Sequence, residues 1–345
     1  MTVAERAKAA SDDPHVRGED AQAGAVERER LRKMMLIRRF EERTFQVYTA
    51  PGKKINGFCH LYSGQEAVAV GIAAVFQRGR DFLINGYRDH GHSLALGMTC
   101  RAAMAELFGK ATGCSKGKGG SMHFFEASAG NLGGHGIVGG QIPLGAGAAF
   151  YAAYKKTGGV SYTLFGDGAI NQGTFNETLN LASLWKLPAL FIVENNMMAM
   201  GTQVERSSAE KDLARRGCGY AMPCHNVDGN DLDEVIRFVR EAADRARAGS
   251  GPSYLVMNTY RYRGHSMSDP AKYRTREEVQ KMRETRDPIE TARKVLVETL
   301  GVAENELKAI EEEVRATVQD AADFAQQSPE PPESELWTDV LTEAA

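Results

Sequence analysis

Two short strings carry the chemistry most legible in this chain. Gly166-Asp167-Gly168 directly follows the apolar run Val160-Ser-Tyr-Thr-Leu-Phe165, and Glu194-Asn195-Asn196 directly follows Ala189-Leu-Phe-Ile-Val193. A carboxylate and a carboxamide on neighbouring strand ends present two hard oxygens, the ligand type Mg2+ takes in an octahedral shell completed by phosphate, water or carbonyl. Gly166 and Gly168 let a ligand approach the backbone closely, and a helix opening near Asn171 aims its free N–H groups at the same place, which favours a diphosphate. Either string alone reads as a turn, since Gly, Asp and Asn are common there. The pair at this spacing is far more specific and implies Mg2+ with a phosphate ligand.

Such a site needs a frame that brings two strand ends together. Asp81-Phe-Leu-Ile84, Val160–Phe165, Ala189–Val193 and Tyr254-Leu-Val-Met-Asn258 have the continuous apolar character of buried parallel strands. Between the second and third, Phe175, Leu179 and Ala182 share one face of a helix over Thr174–Trp185, giving a strand, crossover helix, strand unit. Units of this kind build an α/β fold, a doubly wound and mostly parallel sheet with helices on both faces, whose ligands bind outside the carboxyl ends of the strands. Chemistry should therefore gather just after Phe165 and Val193.

Flanking regions read differently. Residues 1–26 hold almost no large apolar side chains and are expected to form a disordered tail. Leu31, Met34, Met35, Phe45 and Tyr48 predict an amphipathic helix ending before Pro51-Gly52. The cofactor-binding α/β domain is expected over residues 27–287, followed by a helical region and arm over 288–345. There Leu307, Ile310, Val314, Val318 and Ala321 recur at helical spacing. The run Ser328-Pro-Glu-Pro-Pro332 leads into an arm whose Trp337, Val340 and Leu341 are expected to pack on the body or on a partner.

Composition excludes other classes. With 345 residues, 42% hydrophobic and 25% charged, and a formal net charge of -3, the chain has a globular balance and no global field for nucleic acid or anionic membranes. No stretch is apolar enough to span a bilayer, and the acidic N-terminal tail is unlike a transit peptide. The five cysteines are odd in number and lack a CxxC pair, which suits free thiols in a reducing compartment. Cys218, Cys224 and His225 lack the spacing and the fourth ligand of a zinc site. Bacterial cytosol is the expected location, with the mitochondrial matrix as the alternative.

A wider set of strings narrows the reading. GFCHLYSGQEA (57–67), GYRDHG (86–91), GCSKGKGGSMH (113–123), GHGIVGGQIPLGAG (134–147), GDGAINQG (166–173), MGTQVERS (200–207), YRYRGHSMSDP (260–270) and YRTREE (273–278) span the chain from about Leu31 to the C-terminal arm. Together they resemble the alpha subunits of the thiamin-diphosphate-dependent 2-oxo acid dehydrogenases. GCSKGKGGSMH and YRYRGHSMSDP resemble the pyruvate-acting members more than the branched-chain ones, while acetoin-acting members share many of the strings. The paired GDG and NN strings are this family's cofactor motif, so the resemblance makes the diphosphate that of thiamin.

Position by position, the resemblance assigns Asp167, the Asn196 side chain and the Met198 main-chain carbonyl to Mg2+. Met198 stands where the pyruvate enzymes usually have Tyr; a main-chain ligand survives that change. The resemblance also places Gly168 and Ala169 along the diphosphate, Gly136 and Val138 against the aminopyrimidine, and Tyr87 and Arg88 on the diphosphate. A guanidinium suits bidentate phosphate binding. His60 is implied to face the substrate, and His265 to contact the cofactor and assist acyl transfer. Ser266 matches the position phosphorylated in regulated members. His90 and His123 read as structural.

Activating thiamin requires a glutamate on its pyrimidine ring, and the chain is too short to carry a second α/β domain for it. Glu66, at a helix start, suits a structural hydrogen bond better. The resemblance therefore implies a beta subunit in an α2β2 heterotetramer, a lipoyl-bearing dihydrolipoyl transacetylase and a small 2-oxo acid substrate, with no nucleic acid and no membrane. The rival class is a scaffold subunit that kept the fold without the chemistry; Arg88, Asp167, Asn196 and His265 together argue against it.

Overall fold

The computed structural model describes residues 14–52, 54–55 and 57–341, with side chains from residue 23 onward. Its centre is a six-stranded sheet whose adjacent strands all pair parallel. The strands are β1 (Phe82–Gly86), β2 (Asn131–His135), β3 (Ser161–Gly166), β4 (Ala189–Asn195), β7 (Cys224–Asp228) and β8 (Ser253–Asn258), in the order β2-β1-β3-β4-β8-β7. Between β4 and β7, β5 (Met198–Ala199) and β6 (Thr202–Gln203) form a small antiparallel hairpin.

The four strands expected from apolar runs are present, and β4 is buried along its whole length. Successive side chains alternate between two helical layers, as the pleat requires. Leu164, Leu190, Ile192 and Leu255 pack under one face with Val68 of α2 (Glu66–Ala73) and Val235 of α7 (Leu232–Arg247). Phe165, Phe191, Val193 and Val256 pack under the other, with Ile142 of α5 (Gln141–Lys155) and with Phe175 and Leu179 of α6 (Gly173–Leu184). Gly145 lets α5 lie tight on β3, because a Cβ there would stand 1.9 Å from Thr163 Oγ1. Phe191→Ala in this layer should cost about 3–5 kcal/mol through the cavity it leaves.

Sequence patterning missed β2 and β7. Both are outermost strands: β2 reads Asn-Leu-Gly-Gly-His and β7 reads Cys-His-Asn-Val-Asp, so neither carries an apolar run. Their pairing is imposed by the neighbouring strand rather than by their own composition.

The expected tail over 1–26 is corrected for its second half. The first helix, α1, runs Pro14–Thr49, so residues 14–26 extend the amphipathic helix toward the N-terminus; residues 1–13 lie outside the described residues. The segment holds three alanines with Arg17, Glu19 and Gln22, which favour helix against Gly18 and Gly24, and the packed helix that follows supplies the nucleus. Leu31, Met34, Ile37 and Phe40 of α1 share one apolar cluster with Leu307, Val314 and Val318 of the C-terminal helix over Glu304–Gln327. The arm beyond it is tied by Lys116 and Lys118 to Glu335 and Asp339. Its Trp337, Val340 and Leu341 do not pack on the body, remaining 81%, 69% and 86% exposed. None of the described helices is long and apolar enough to cross a membrane.

Candidate active site

The carboxyl ends of β1, β3 and β4 converge on a cavity of about 270 Å3. Tyr87 and Arg88 follow β1, Asp167 follows β3, and Asn195 and Asn196 close and follow β4. β3 and β4 pair with Gly166 opposite Glu194, which sets the two strings side by side. Gly168, Ala169 and Met198 line the same space.

The two asparagines divide their tasks. Asn195 is structural: its Oδ1 accepts from the Met197 N–H (3.1 Å) and its Nδ2 donates to Asn258 Oδ1 (2.8 Å). Asn196 lines the cavity; its Nδ2 donates to Gln65 Oε1 (3.2 Å). Met197 and Met200 both adopt positive φ (64° and 57°), an unusual cost for side-chain-bearing residues, in the tight turns on either side of the Met198 carbonyl. Gly168 has a steric role, since a Cβ there would meet Ala199 Cβ at 2.8 Å.

The polar atoms are arranged for a charged ligand. Asp167 is 4% exposed and its Oδ2 has no hydrogen-bond partner among the described residues. Burial pushes its carboxyl up to about 6, although the Arg261, Arg88 and Arg274 guanidiniums pull it down. Arg88 and Arg261 are buried, yet neither is paired to a carboxylate. Arg88 donates to the carbonyls of Leu61 and His265, and burial together with Arg261 lowers it to about 10. Buried guanidiniums without counter-charge are costly unless an anion joins them. An unpartnered carboxylate oxygen beside two such cations fits a divalent cation carrying a diphosphate.

Above this floor a wider mouth of about 500 Å3 is lined by Phe58, His60, Gly136, Val138, His265 and Ser266, among others. The His60 and Tyr87 rings lie 4.5 Å apart, those of His60 and His265 5.2 Å, and those of Tyr87 and His265 5.5 Å. Burial, then Arg88, lowers His60 to about 2 and His265 to about 4. Both rings are therefore neutral at pH 7, and each has a buried Nδ1 with no partner among the described residues. Ser266 Oγ lies 3.0 Å from Ser268 Oγ at the rim.

All the residues singled out from sequence thus line one continuous site. Asp167, Gly168, Ala169, Asn196 and Met198 form its floor, Tyr87, Val138 and His265 lie between the two spaces, and Arg88 reaches the floor. Sequence reasoning passed over Gln65, Asn85, Glu194 and Arg261, which also line the floor. Three of them stood in strings already quoted or beside the motif; Asn85 lies just before Tyr87 and had no distinguishing neighbour.

The carboxylates nearest the site are committed elsewhere. Glu194 accepts from Tyr62 Oη and lies 2.9 Å from His92 Nε2. Glu66 holds Arg38 (2.5 and 2.8 Å) and the Gly64 N–H, the structural role expected of it. Asp269 accepts from Tyr273 Oη and the His265 N–H. His90 bonds Glu41, which with its other contacts holds its pKa above the ordinary value against burial, and His123 Nδ1 lies 3.0 Å from the Gly134 carbonyl. Both are structural. Among the described residues no group of three or more His, Cys, Asp or Glu side chains could hold a metal.

Residues 32–334 match the model of the family described as dehydrogenase E1 component. Curated relatives include the pyruvate dehydrogenase E1 component subunit alpha of Rhizobium meliloti, 54% identical over 90% of this chain and 88% of that protein. The protein of the same name from Zymomonas mobilis is 53% identical over 90% and 87%. The mitochondrial one from Dictyostelium discoideum is 50% identical over 84% and 75%.

Proposed function

Because the chain belongs to the dehydrogenase E1 component family, we propose that it is the alpha subunit of a pyruvate dehydrogenase, anchoring thiamin diphosphate through Mg2+ and completed by a separate beta subunit. The observation that carries this reading is the unpartnered Asp167 Oδ2 after β3, in one cavity with the buried, carboxylate-free Arg88 and Arg261 after β1 and β8.

Asp167, the Asn196 carboxamide oxygen and the Met198 carbonyl would hold Mg2+. Arg88, Tyr87 and the backbone around Gly168 and Ala169 would hold the diphosphate, with Gly136 and Val138 against the aminopyrimidine. When bound, thiamin diphosphate supplies the electron sink for decarboxylating a 2-oxo acid and passing the acyl group to a lipoyl thiol. The chain's own residues orient and exclude water. His60 and His265, neutral and 5.2 Å apart, each offer a nitrogen that can hold or pass a proton at the mouth. Ser266 at the rim is a candidate control position, since a phosphate there would repel an anionic substrate.

The partner subunit is supported by two features. With Glu66, Glu194 and Asp269 engaged, the activating glutamate has no free candidate among the described carboxylates nearest the site. α5 also carries exposed Leu144, Phe150, Tyr151 and Tyr154, joined by exposed Leu184 of α6 and by Trp185 just after it. Phe150 stacks on Tyr154 and leans on Trp185, a patch that suits burial against another chain. A dihydrolipoyl transacetylase would accept the acyl group.

Thermal shift with the assembled complex tests the reading. Mg2+ with thiamin diphosphate at 100 times Kd should add about 2.7 kcal/mol of stability; no shift would favour a scaffold without chemistry. Turnover of pyruvate against 2-oxoisovalerate and acetoin assigns the substrate, with pyruvate expected to be preferred.

A further inference from the structure

Arg261 follows β8 and is 1% exposed beneath the site floor. One guanidinium nitrogen lies 3.3 Å from Asn196 Oδ1 and 3.4 Å from the Met198 carbonyl oxygen. The second donates to Tyr273 Oη (3.0 Å) and the Met200 carbonyl (3.4 Å), and Nε donates to the Arg263 carbonyl (3.1 Å). Its partners are thus carbonyl, amide and phenol oxygens. Two of the three oxygens read above as cation ligands already face a tethered cation.

The surrounding charge reinforces this arrangement. Arg88 faces the same cavity, and Arg274 donates to the carbonyls of Arg261 and Asn196. Of the carboxylates, Asp167 and Glu194 line the cavity, while Asp269 and Glu278 act on Arg261 and Arg274 from outside it. Glu194 is taken up by Tyr62 and His92, Asp269 by Tyr273 and the His265 N–H, and Glu278 by Tyr260. A divalent cation entering by itself would add charge to a buried site already rich in positive charge and would compete with Arg261 for the same oxygens. A diphosphate reverses that balance and offers the guanidiniums strong acceptors of its own.

We propose that Arg261 guards the cation position, so that a divalent cation enters with a diphosphate and not before it. This rests on the reading of Asp167, Asn196 and Met198 as the cation's ligands. Arg261 thereby sets the order in which the site is filled.

The test uses the full chain with its partner subunit, Mn2+ followed by electron paramagnetic resonance, and inorganic pyrophosphate as the diphosphate. The wild type should bind Mn2+ weakly alone and at least about tenfold more tightly with pyrophosphate, a difference of about 1.4 kcal/mol. Arg261→Gln should bind Mn2+ alone at least about tenfold more tightly than the wild type does, while Arg261→Lys keeps the cation and follows the wild type. Equal Mn2+ affinity with and without pyrophosphate in the wild type overturns the proposal and leaves the ligand assignment standing, provided Asp167→Asn abolishes the binding. No Mn2+ binding under either condition overturns both. If Arg261→Gln does not fold by circular dichroism, Arg261→Met, which also removes the charge, takes its place; a folded neutral variant that binds Mn2+ alone no more tightly than the wild type overturns the proposal.

Discussion

The floor and the mouth of the site are built on opposite terms. On the floor, Asp167, Asn196, Arg88 and Arg261 are all below 10% exposed, fixed by strand register and by bonds within the chain. At the mouth, Phe58, Val138 and Met200 are 64%, 45% and 62% exposed. One region is complete; the other ends in open apolar surface. The contrast teaches that the charged groups are held by a rigid sheet within the chain, whereas the space above them opens onto exposed apolar side chains.

The largest expected effect breaks the floor. Asp167→Ala should abolish the thermal shift produced by Mg2+ with thiamin diphosphate, and with it all turnover, while the apoprotein keeps its circular dichroism. At the mouth, His265→Asn should lower kcat by about 10²–10⁴-fold, the range for losing a proton-transferring group, yet leave that thermal shift in place. A mouth variant that also lost the shift would merge the two regions.

Charging the open face probes the contrast from outside. Leu144→Lys or Phe150→Asp should prevent assembly with the partner in size-exclusion chromatography while the chain itself keeps its circular dichroism. Unchanged assembly would assign the partner to another surface.

The smallest effect concerns pH. Because burial lowers His60 to about 2 and His265 to about 4, the unfolded chain binds more protons than the native one below the ordinary histidine value. Their contribution to stability is present above about 6.5 and is lost as pH falls toward about 4. Asp167, raised to about 6, and Asp89, raised to about 7, act the opposite way, so the readout is a difference: from pH 7 to 5 the change in apoprotein Tm should be more favourable in His60→Asn than in the wild type. A slope unchanged in that variant would place the burial cost elsewhere.

Much of the floor was legible in the residues themselves. Apolar runs ending at Phe165 and Val193 located β3 and β4, and the strand-end rule then placed Asp167 and Asn196 together. Sequence could not separate Asn195 from Asn196 by chemistry, because the distinction lies in which carboxamide the Asn258 side chain captures. Arg261 was hidden for a similar reason: one of the two arginines in YRYRGHSMSDP shows no sign of being 1% exposed. β2 and β7 were illegible because their partners, not their compositions, make them strands. The helical state of residues 14–26 was missed because low apolar content was read as disorder, although helix propensity and a packed continuation suffice.

The central claim is that this chain holds the cofactor but cannot activate it alone. It is tested most directly by pyruvate decarboxylation with an artificial electron acceptor, using the purified chain before and after adding its partner subunit. The expected result is cofactor-saturated protein with no turnover alone and full turnover on addition of the partner. Full turnover by the isolated chain would contradict it.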